Sequence, residues 1–154
     1  MPSDLRAPAV HRCLEVITAC ATEFVDLTDR LETFISLTGT RDGLLHVQTL
    51  HTTTGLLINE AEPLLLLDLM VRFERWAPAD RAYAHDDLAR RTVNVGPLER
   101  PNGYAHCRAA LLRTSETVLV RGGRLCLGRW QRVLFAEFDG PQRRQVAATI
   151  VPVM

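Results

Sequence analysis

Ten consecutive residues, 51–60, place an imidazole, three hydroxyl groups, an amide and a carboxylate around only a few aliphatic side chains. The segment reads His-Thr-Thr-Thr-Gly-Leu-Leu-Ile-Asn-Glu and follows a strand-like apolar run at residues 44–50. Polar groups that begin where an extended segment ends are often ligand-binding groups held by a rigid scaffold. Side chains alternate between two faces in a strand, so His51, Thr53 and Asn59 could present one face to an anion or a metal ion. The alternative is a strand with threonines on its wet face and one hydrogen-bonded histidine.

Three helices are predicted around this segment. Helical spacing of apolar residues predicts a first helix that ends at Gly39. A second helix, residues 63–76, begins with proline and is apolar around much of its circumference. We expect it to be deeply packed or to lie against a neighbouring subunit. Asn102 is expected to cap a short third helix that carries His106 and extends to Leu112.

Strands outnumber helices in the predicted pattern. Gly122 and Gly123 allow positive φ and indicate a two-residue hairpin. Apolar residues on both faces of residues 130–138 predict a central strand, and Pro152 indicates a strand end at a sheet edge. Hairpins and few helices favour an α+β fold with a largely antiparallel sheet, folded as a sandwich or partial barrel. The predicted strands are residues 11–25 with an irregular middle, 44–50, 114–120, 124–127, 130–138 and 146–153.

Composition narrows the class of protein. A chain of 154 residues is most simply one domain, spanning residues 1–154. It has 18 basic and 18 acidic residues, so no net field recruits nucleic acid or an acidic membrane. No apolar run approaches the roughly 18 residues of a membrane span, and the N-terminus lacks the apolar core of a signal peptide. We therefore expect a cytoplasmic protein whose four cysteines are reduced and mostly buried.

Several segments together resemble one protein family. Residues 51–60 are similar to the signature of the YjbQ-type family, small proteins described as secondary thiamine-phosphate synthases. This resemblance implies an α+β fold, a homotrimer, and an enzyme that transfers a pyrimidine-methyl group from a diphosphate to a thiazole phosphate with loss of pyrophosphate. Further matching segments follow in the same order: Tyr83 to His85, Asn102 to His106, Leu127 to Gln131, and residues 137–141 followed by two arginines.

The matching segments contain three histidines, His51, His85 and His106, which are distant in sequence but could converge in a folded sheet protein. Three neutral imidazoles with one open position suit Zn²⁺ or another divalent ion, which could polarise an oxygen or activate water. No pair has the i, i+4 spacing of a helical metal site. The implied transfer also needs charge stabilisation on the leaving pyrophosphate, for which Glu60 or Asp86 could hold Mg²⁺. Glu60 could equally stabilise the first turn of the following helix.

The same residues could instead bind a small phosphorylated molecule. Thr52, Thr53 and Arg108 could hold phosphate oxygens through hydroxyl and guanidinium donors, while His106 or His85 moves a proton. The resembled family usually has lysine where Arg108 stands, and either cation can hold phosphate.

Two aromatic and polar positions later in the chain complete the candidate site. Trp130 and Gln131 could line a pocket, although Trp130 could also lie in the core or an interface. Glu137 lies among apolar residues and is expected to pair with an arginine or to belong to the site. Arg143 and Arg144 are expected to be solvated.

Residues 89–101 are expected to form an active-site loop. In the resembled family this segment is rich in acidic residues, whereas here it carries Arg90, Arg91 and Arg100. Two classes of function remain open. One is an enzyme with His51, His106 and Glu60 as its catalytic residues. The other is a non-catalytic trimeric protein that binds a metal or a phosphorylated ligand.

Overall fold

A computed structural model describes residues 8–153 of the chain. The described residues contain three α-helices and eight strands, together with one short 3₁₀ helix at Ala84–Asp86. None of these helices has the combination of length and apolar character that a bilayer crossing requires. The elements are β1 (Val10–Ile17), β2 (Glu23–Asp26), α1 (Thr28–Thr38), β3 (Gly43–Thr49), β4 (Thr54–Asn59), α2 (Pro63–Trp76), α3 (Gly103–Ala109), β5 (Ser115–Arg121), β6 (Arg124–Leu125), β7 (Arg132–Glu137) and β8 (Arg143–Pro152).

The strands form two antiparallel sheets. The larger has the order β1-β8-β3-β5-β6 and the smaller the order β2-β7-β4, so β7 is central as expected. The predicted α+β class with largely antiparallel sheets is confirmed. The predicted strand at residues 11–25 is in fact two strands, β1 and β2, which belong to different sheets. β8 lies inside the larger sheet, but its last residue, Pro152, pairs only with Gly43 because the β1 ladder begins opposite Ile150.

The main core lies between the two sheets and under α1. Helical spacing places Leu31, Phe34 and Ile35 of α1 on one buried face, where they join residues from both sheets, such as Val16 and Phe135. The helix ends where the sequence predicts, because Gly39 adopts the left-handed conformation with φ 68°. Both hairpin glycines after β5 also have positive φ, 60° and 80°.

A second, smaller core joins α2 and α3 to the sheet β2-β7-β4. Phe73 of α2 packs on Phe138, with ring centroids 4.8 Å apart, beside Ala105 and Ala109 of α3. Phe73 is the buried residue of α2. The expectation that α2 is deeply packed is therefore wrong for a single chain, because its apolar side chains extend past the one face that the small core covers. The apolar side chains of α2 that remain exposed include Leu64, Leu67, Val71 and Trp76.

Two further expectations are wrong, one about burial and one about the length of a helix. All four cysteines are exposed free thiols rather than mostly buried ones. Cys13, for example, precedes buried Leu14 on β1, and alternation along the strand turns it outward. α3 is also shorter than expected, since it ends at Ala109 before Leu112.

Candidate functional site

Two buried polar side-chain atoms in the described part of the chain have no hydrogen-bond partner, and both lie near the start of α3. They are Nε2 of His85 and Oδ1 of Asn102. The Asn102 amide orientation is fixed because Nδ2 donates to the Asp139 carboxylate at 3.1 Å, so Oδ1 must point away from that acceptor. An unpaired buried polar group costs about 1–3 kcal/mol. Such atoms in a native fold require a specific reason, and a polar ligand or a bound water would supply one.

The 3₁₀ helix brings His85 against His106 of α3, with ring centroids 4.5 Å apart and an interplanar angle of 58°. This contact depends on a close backbone approach at Gly103. A Cβ atom there would lie 2.5 Å from Cβ of Tyr83, closer than real Cβ contacts. Glycine at the start of α3 therefore sets the spacing of the two imidazoles.

Asp86 provides the N-terminal cap of α3. Its Oδ1 accepts hydrogen bonds from the backbone N–H groups of Asn102 and Gly103, each at 2.9 Å. These groups would otherwise lack partners at a helix start. Asn102 occupies the cap position, but its side chain makes no cap hydrogen bond. The prediction that its side chain caps the helix is therefore wrong, and its amide is available to the site instead.

The environment favours a neutral His106. Burial lowers the pKa of His106, and the neighbouring His85 and Arg91 lower it further, while Asp139 and Glu99 oppose these effects. A histidine with a lowered pKa keeps one nitrogen as a donor and one as an acceptor at neutral pH. His106 can therefore exchange hydrogen bonds or accept a proton without first losing one.

Asp139 connects the start of α3 to the turn after β7. Its carboxylate accepts from Asn102 and pairs with Arg100, whose Nη2 lies 2.8 Å from Oδ1. Arg100 also donates to the Asp139 carbonyl. The end of the 89–101 segment is thereby tied to the same turn that holds the amide of Asn102.

The rest of the 89–101 segment is an irregular loop, as expected, and it is built around Arg91. Arg91 donates to Glu99 at 2.7 Å and to the Asn94 carbonyl at 2.5 Å. Glu99 also accepts a hydrogen bond from the Gly96 N–H at 2.9 Å. This backbone hydrogen bond has the largest effect in lowering the pKa of Glu99, and the hydrogen bond from Arg91 lowers it further. The loop and the 3₁₀ helix form the walls of an open pocket of about 540 Å³, lined by Ala84, His85, Arg90, Arg91, Val93 and Asn94.

His51 lies in a different group, beside β8. Its Nε2 accepts the backbone N–H of Gln145 at 2.8 Å. Burial lowers the pKa of His51, and the Arg144 guanidinium lowers it further. Thr53, buried in the same turn, accepts from Arg144 at 3.1 Å. Thr52 is exposed. The interpretation of residues 51–53 as a strand face is wrong, because these residues form a turn and β4 starts at Thr54.

Glu137 is fully buried and pairs with Arg144, at 2.6 Å from Nε and 2.7 Å from Nη2. The expectation that Glu137 pairs with an arginine is confirmed. The expectation that Arg144 is solvated is wrong, because Glu137 draws its guanidinium inward. Arg143 is exposed as expected.

Arg108 is 2% exposed and serves the fold. It donates to the Ala77 carbonyl at the end of α2 and to Thr22 Oγ1 at 3.0 Å, and it pairs with Glu74. These internal partners occupy every nitrogen of the guanidinium. The structure therefore does not bring Arg108 to the surface that a phosphate could reach.

Glu60, Trp130 and Gln131 lie at a third place on the surface. Glu60 and Trp130 line a depression of about 280 Å³ together with Arg129. Trp130 is 60% exposed, with the Arg129 guanidinium 4.5 Å above its ring, so it does not lie in the core of the chain. Gln131 accepts from the Gly128 N–H at 2.8 Å. Asn59 Oδ1 is used locally, accepting the backbone N–H of Glu60 at 2.9 Å.

The proposed metal ligands are divided between these places. Among residues 8–153 no three His, Cys, Asp or Glu side chains are grouped so that they could hold one ion. His85 and His106 meet, but His51 does not join them, and a structural or catalytic zinc site uses at least three protein ligands. A single chain therefore does not provide the three-histidine site.

The sequence pattern missed four members of the histidine site, namely Arg91, Glu99, Arg100 and Asp139. A signal existed for Asp139, since Asp-Gly-Pro belongs to one of the segments that match the resembled family. The other three lie in the loop that departs from that family.

Two antiparallel sheets with three packed helices, and a histidine pair between a 3₁₀ helix and α3, define a small α+β domain with a polar site. The chain belongs to the UPF0047 family of YjbQ-like proteins, whose family model matches residues 12–153. It is 43% identical over 133 residues to a UPF0047 protein of Archaeoglobus fulgidus, covering 86% of this chain and 94% of that protein. It is 34% identical over 134 residues to the UPF0047 protein YugU of Bacillus subtilis, covering 86% and 92%.

Solved structures show the same fold. A hypothetical protein of Aeropyrum pernix superposes with a TM-score of 0.82 at 31% identity, covering 94% of this chain and 99% of that one. A YbjQ-like protein of unknown function from Sulfolobus solfataricus superposes with a TM-score of 0.83 at 26% identity, covering 95% and 99%.

Proposed function

We propose that this chain is a small transferase that binds a phosphorylated molecule at the His85–His106 site. The observation that carries the proposal is that two buried atoms, Nε2 of His85 and Oδ1 of Asn102, have no hydrogen-bond partner. They belong to the 3₁₀ helix and to the start of α3, two elements that are held together by Asp86 and by the His85–His106 contact. They are beside a histidine whose pKa is lowered. A site that keeps polar atoms unpaired is prepared for a ligand that pairs them.

The transfer that the YjbQ resemblance suggests fits a neutral His106. The bond between the pyrimidine methylene carbon and the diphosphate oxygen breaks, and the diphosphate leaves with the electron pair. The nitrogen lone pair of the thiazole phosphate then forms the new carbon–nitrogen bond. No proton is consumed, so His85 and His106 serve as hydrogen-bond donors to the leaving oxygens. Asn102 Oδ1 would accept a hydrogen bond from an N–H group of the substrate, and Asp139 positions that amide.

No step of this proposal passes through a metal ion, because the described residues bring together two imidazoles but no third ligand. Zn²⁺ and Mg²⁺ remain candidates for measurement. Metal content of untagged protein should be compared between wild type and His85→Gln. Stoichiometric metal that disappears in the variant would overturn the metal-free proposal.

A homotrimer is part of the proposal, and the exposed apolar face of α2 supports it. Leu64, Leu67 and Val71, which helical spacing places along one side of this helix, are 69%, 55% and 49% exposed. Extended apolar patches of this kind mark interaction surfaces. The same face favours a second candidate function, a trimeric binding protein without catalysis.

The experiment that separates these functions is a coupling assay with hydroxymethylpyrimidine diphosphate and thiazole phosphate. His106→Gln and His85→Gln should each abolish formation of thiamine phosphate, and the oligomer should be retained. His46→Gln is the matched control, because His46 bonds Thr117 on the larger sheet, away from the pair. Absence of product from the wild-type oligomer would sink the transferase and leave the binding protein.

A further inference from the structure

The pocket of about 540 Å³ beside His85 has two arginines in its wall. We propose that this pocket is a phosphate-binding subsite, with Arg90 as its cation and Nε2 of His85 as its second donor. The inference rests on the proposed function, since it names the part of that site which holds the phosphorylated end of the ligand. It differs from the sequence expectation, which assigned this role to Arg108.

The part of the pocket wall formed by the 89–101 loop is fixed by contacts within the loop. Arg91 is mostly buried and is paired with Glu99, and it also donates to the carbonyls of Asn94 and His85, the latter at 3.5 Å. Asn94 has a φ of 54°, a conformation that asparagine tolerates better than most residues. Arg91 is therefore a structural residue whose charge is already neutralised, and the pocket is shaped before a ligand arrives.

Arg90 has no comparable partner among the described residues. Its side chain is 77% exposed, and its one ionic contact is Asp87 at 3.9 Å. The other oxygen of Asp87 accepts the Ala89 N–H at 3.2 Å, so this carboxylate is held to the backbone rather than to the guanidinium. A contact at this distance between exposed groups is worth little. The donors of Arg90 remain available to a ligand.

The geometry of the donors favours phosphate. A guanidinium presents a planar fork that binds two oxygens of one anion, and charge-assisted hydrogen bonds of this kind are about twice as strong as neutral ones. His85 lines the pocket from a different element, the 3₁₀ helix. The guanidinium alone can donate to both oxygens of a planar carboxylate, whereas a tetrahedral phosphate has a further oxygen that can accept a hydrogen bond from the imidazole. Nε2 would then lose its unpaired state.

The location also fits the proposed chemistry. His85 contacts His106, so a phosphate held by Arg90 and His85 lies next to the imidazole expected to face the leaving oxygen. Loops that carry ligand-binding groups on a rigid scaffold commonly supply such subsites.

The test measures binding of inorganic phosphate and of pyrophosphate by ³¹P NMR titration and calorimetry, with Arg90→Gln beside Arg90→Lys and His85→Gln. We expect Arg90→Gln to weaken pyrophosphate binding about tenfold, equivalent to about 1.4 kcal/mol. Lysine should retain part of the affinity because it keeps the charge but not the fork. Arg121→Gln is the charge-matched control, on an exposed position beside the β5–β6 hairpin, and should bind as wild type does.

The outcomes separate this subsite from the proposed reaction. Wild-type affinity in Arg90→Gln, or no binding of either anion to the wild type at millimolar concentration, would overturn the subsite. Binding that depends on Arg90 in a protein without turnover would support the subsite and refute the transfer reaction. Turnover with an unchanged KM for the diphosphate substrate in Arg90→Gln would refute the subsite and leave the reaction standing.

Discussion

Replacing Arg144 by leucine should be among the most destabilising single changes in this protein. Its guanidinium makes two short hydrogen bonds to Glu137, which is 0% exposed, and a third to Thr53. Glu137 would keep hydrogen bonds from the Phe138 and Asp139 N–H groups, but it would lose its only cation among the described residues. Breaking a buried ion pair from one side typically costs about 3–5 kcal/mol. This is a large part of the roughly 5–15 kcal/mol that stabilises a domain.

Urea denaturation measures this cost directly. With an m value of about 2 kcal/mol/M, the midpoint should fall by roughly 1.5–2.5 M in Arg144→Leu. Arg143→Leu is the matched control, since Arg143 is exposed and makes one exposed ion pair with Glu15 at 3.4 Å. Its midpoint should move by less than about 0.5 M, because such a pair is worth at most about 1 kcal/mol. Equal shifts in the two variants would refute the reasoning.

A companion variant separates the cost of an unpaired charge from the value of the pair itself. Changing Glu137 to leucine in the Arg144→Leu background removes the stranded carboxylate. Apolar replacement of a whole buried pair is often neutral or stabilising, so the double variant should recover much of the lost stability. A double variant no more stable than Arg144→Leu would show that the loss comes from packing and not from the unpaired charge.

Three further outcomes follow from the site and the surface. Lowering the pH below about 6.5 should destabilise the wild type. The pKa values of His106 and His51 are lowered in the fold, so the unfolded chain binds more protons at these residues as the pH falls. In His106→Gln, the free energy of unfolding measured in urea should therefore depend less steeply on pH between 5 and 7.5. Gly103→Ala should cost about 1–3 kcal/mol and reduce turnover, because the new Cβ lies 2.5 Å from Cβ of Tyr83; unchanged melting and turnover would contradict this. Leu67→Gln, on an α2 side chain that is 55% exposed, should shift sedimentation from the proposed trimer toward the monomer without destabilising the monomer, and an unchanged sedimentation profile would remove α2 from the interface.

Local rules of chain conformation predicted the parts of this fold that depend on neighbouring residues alone. Gly39 ends α1 and Gly122 and Gly123 form the hairpin because a positive φ is a property of each residue in its own backbone. α2 likewise begins and ends at the expected residues. The burial of α2 was not predictable in the same way. A helix that is apolar around much of its circumference requires a partner surface, and the pattern does not say whether the same chain supplies it.

Contacts between distant parts of the chain also decide the candidate site, and the local sequence does not predict them. The sequence predicts a solvated Arg144, yet this side chain is buried against Glu137 on the preceding strand, across the turn at residues 138–142. His51 was expected to converge with His85 and His106. Sheet topology instead places His51 beside β8, whereas the other two histidines meet where the 3₁₀ helix approaches α3. Pairings of this kind depend on the register and order of distant strands.

The histidine site around Asn102 and the buried Glu137–Arg144 ion pair are nevertheless joined through the turn after β7. Oε1 of Glu137, fixed by Arg144, accepts the N–H of Asp139 at 2.9 Å, and the Asp139 carboxylate then holds the amide of Asn102. The ion pair therefore orients a turn whose side chain positions the unpaired oxygen of the site. If this connection acts, Arg144→Leu should change the histidine site as well as stability. The NMR titration of His106 should then shift in Arg144→Leu protein that is still folded, whereas Arg143→Leu should leave it unchanged. An identical titration in folded Arg144→Leu protein would mean that Asp139 is held by Arg100 alone.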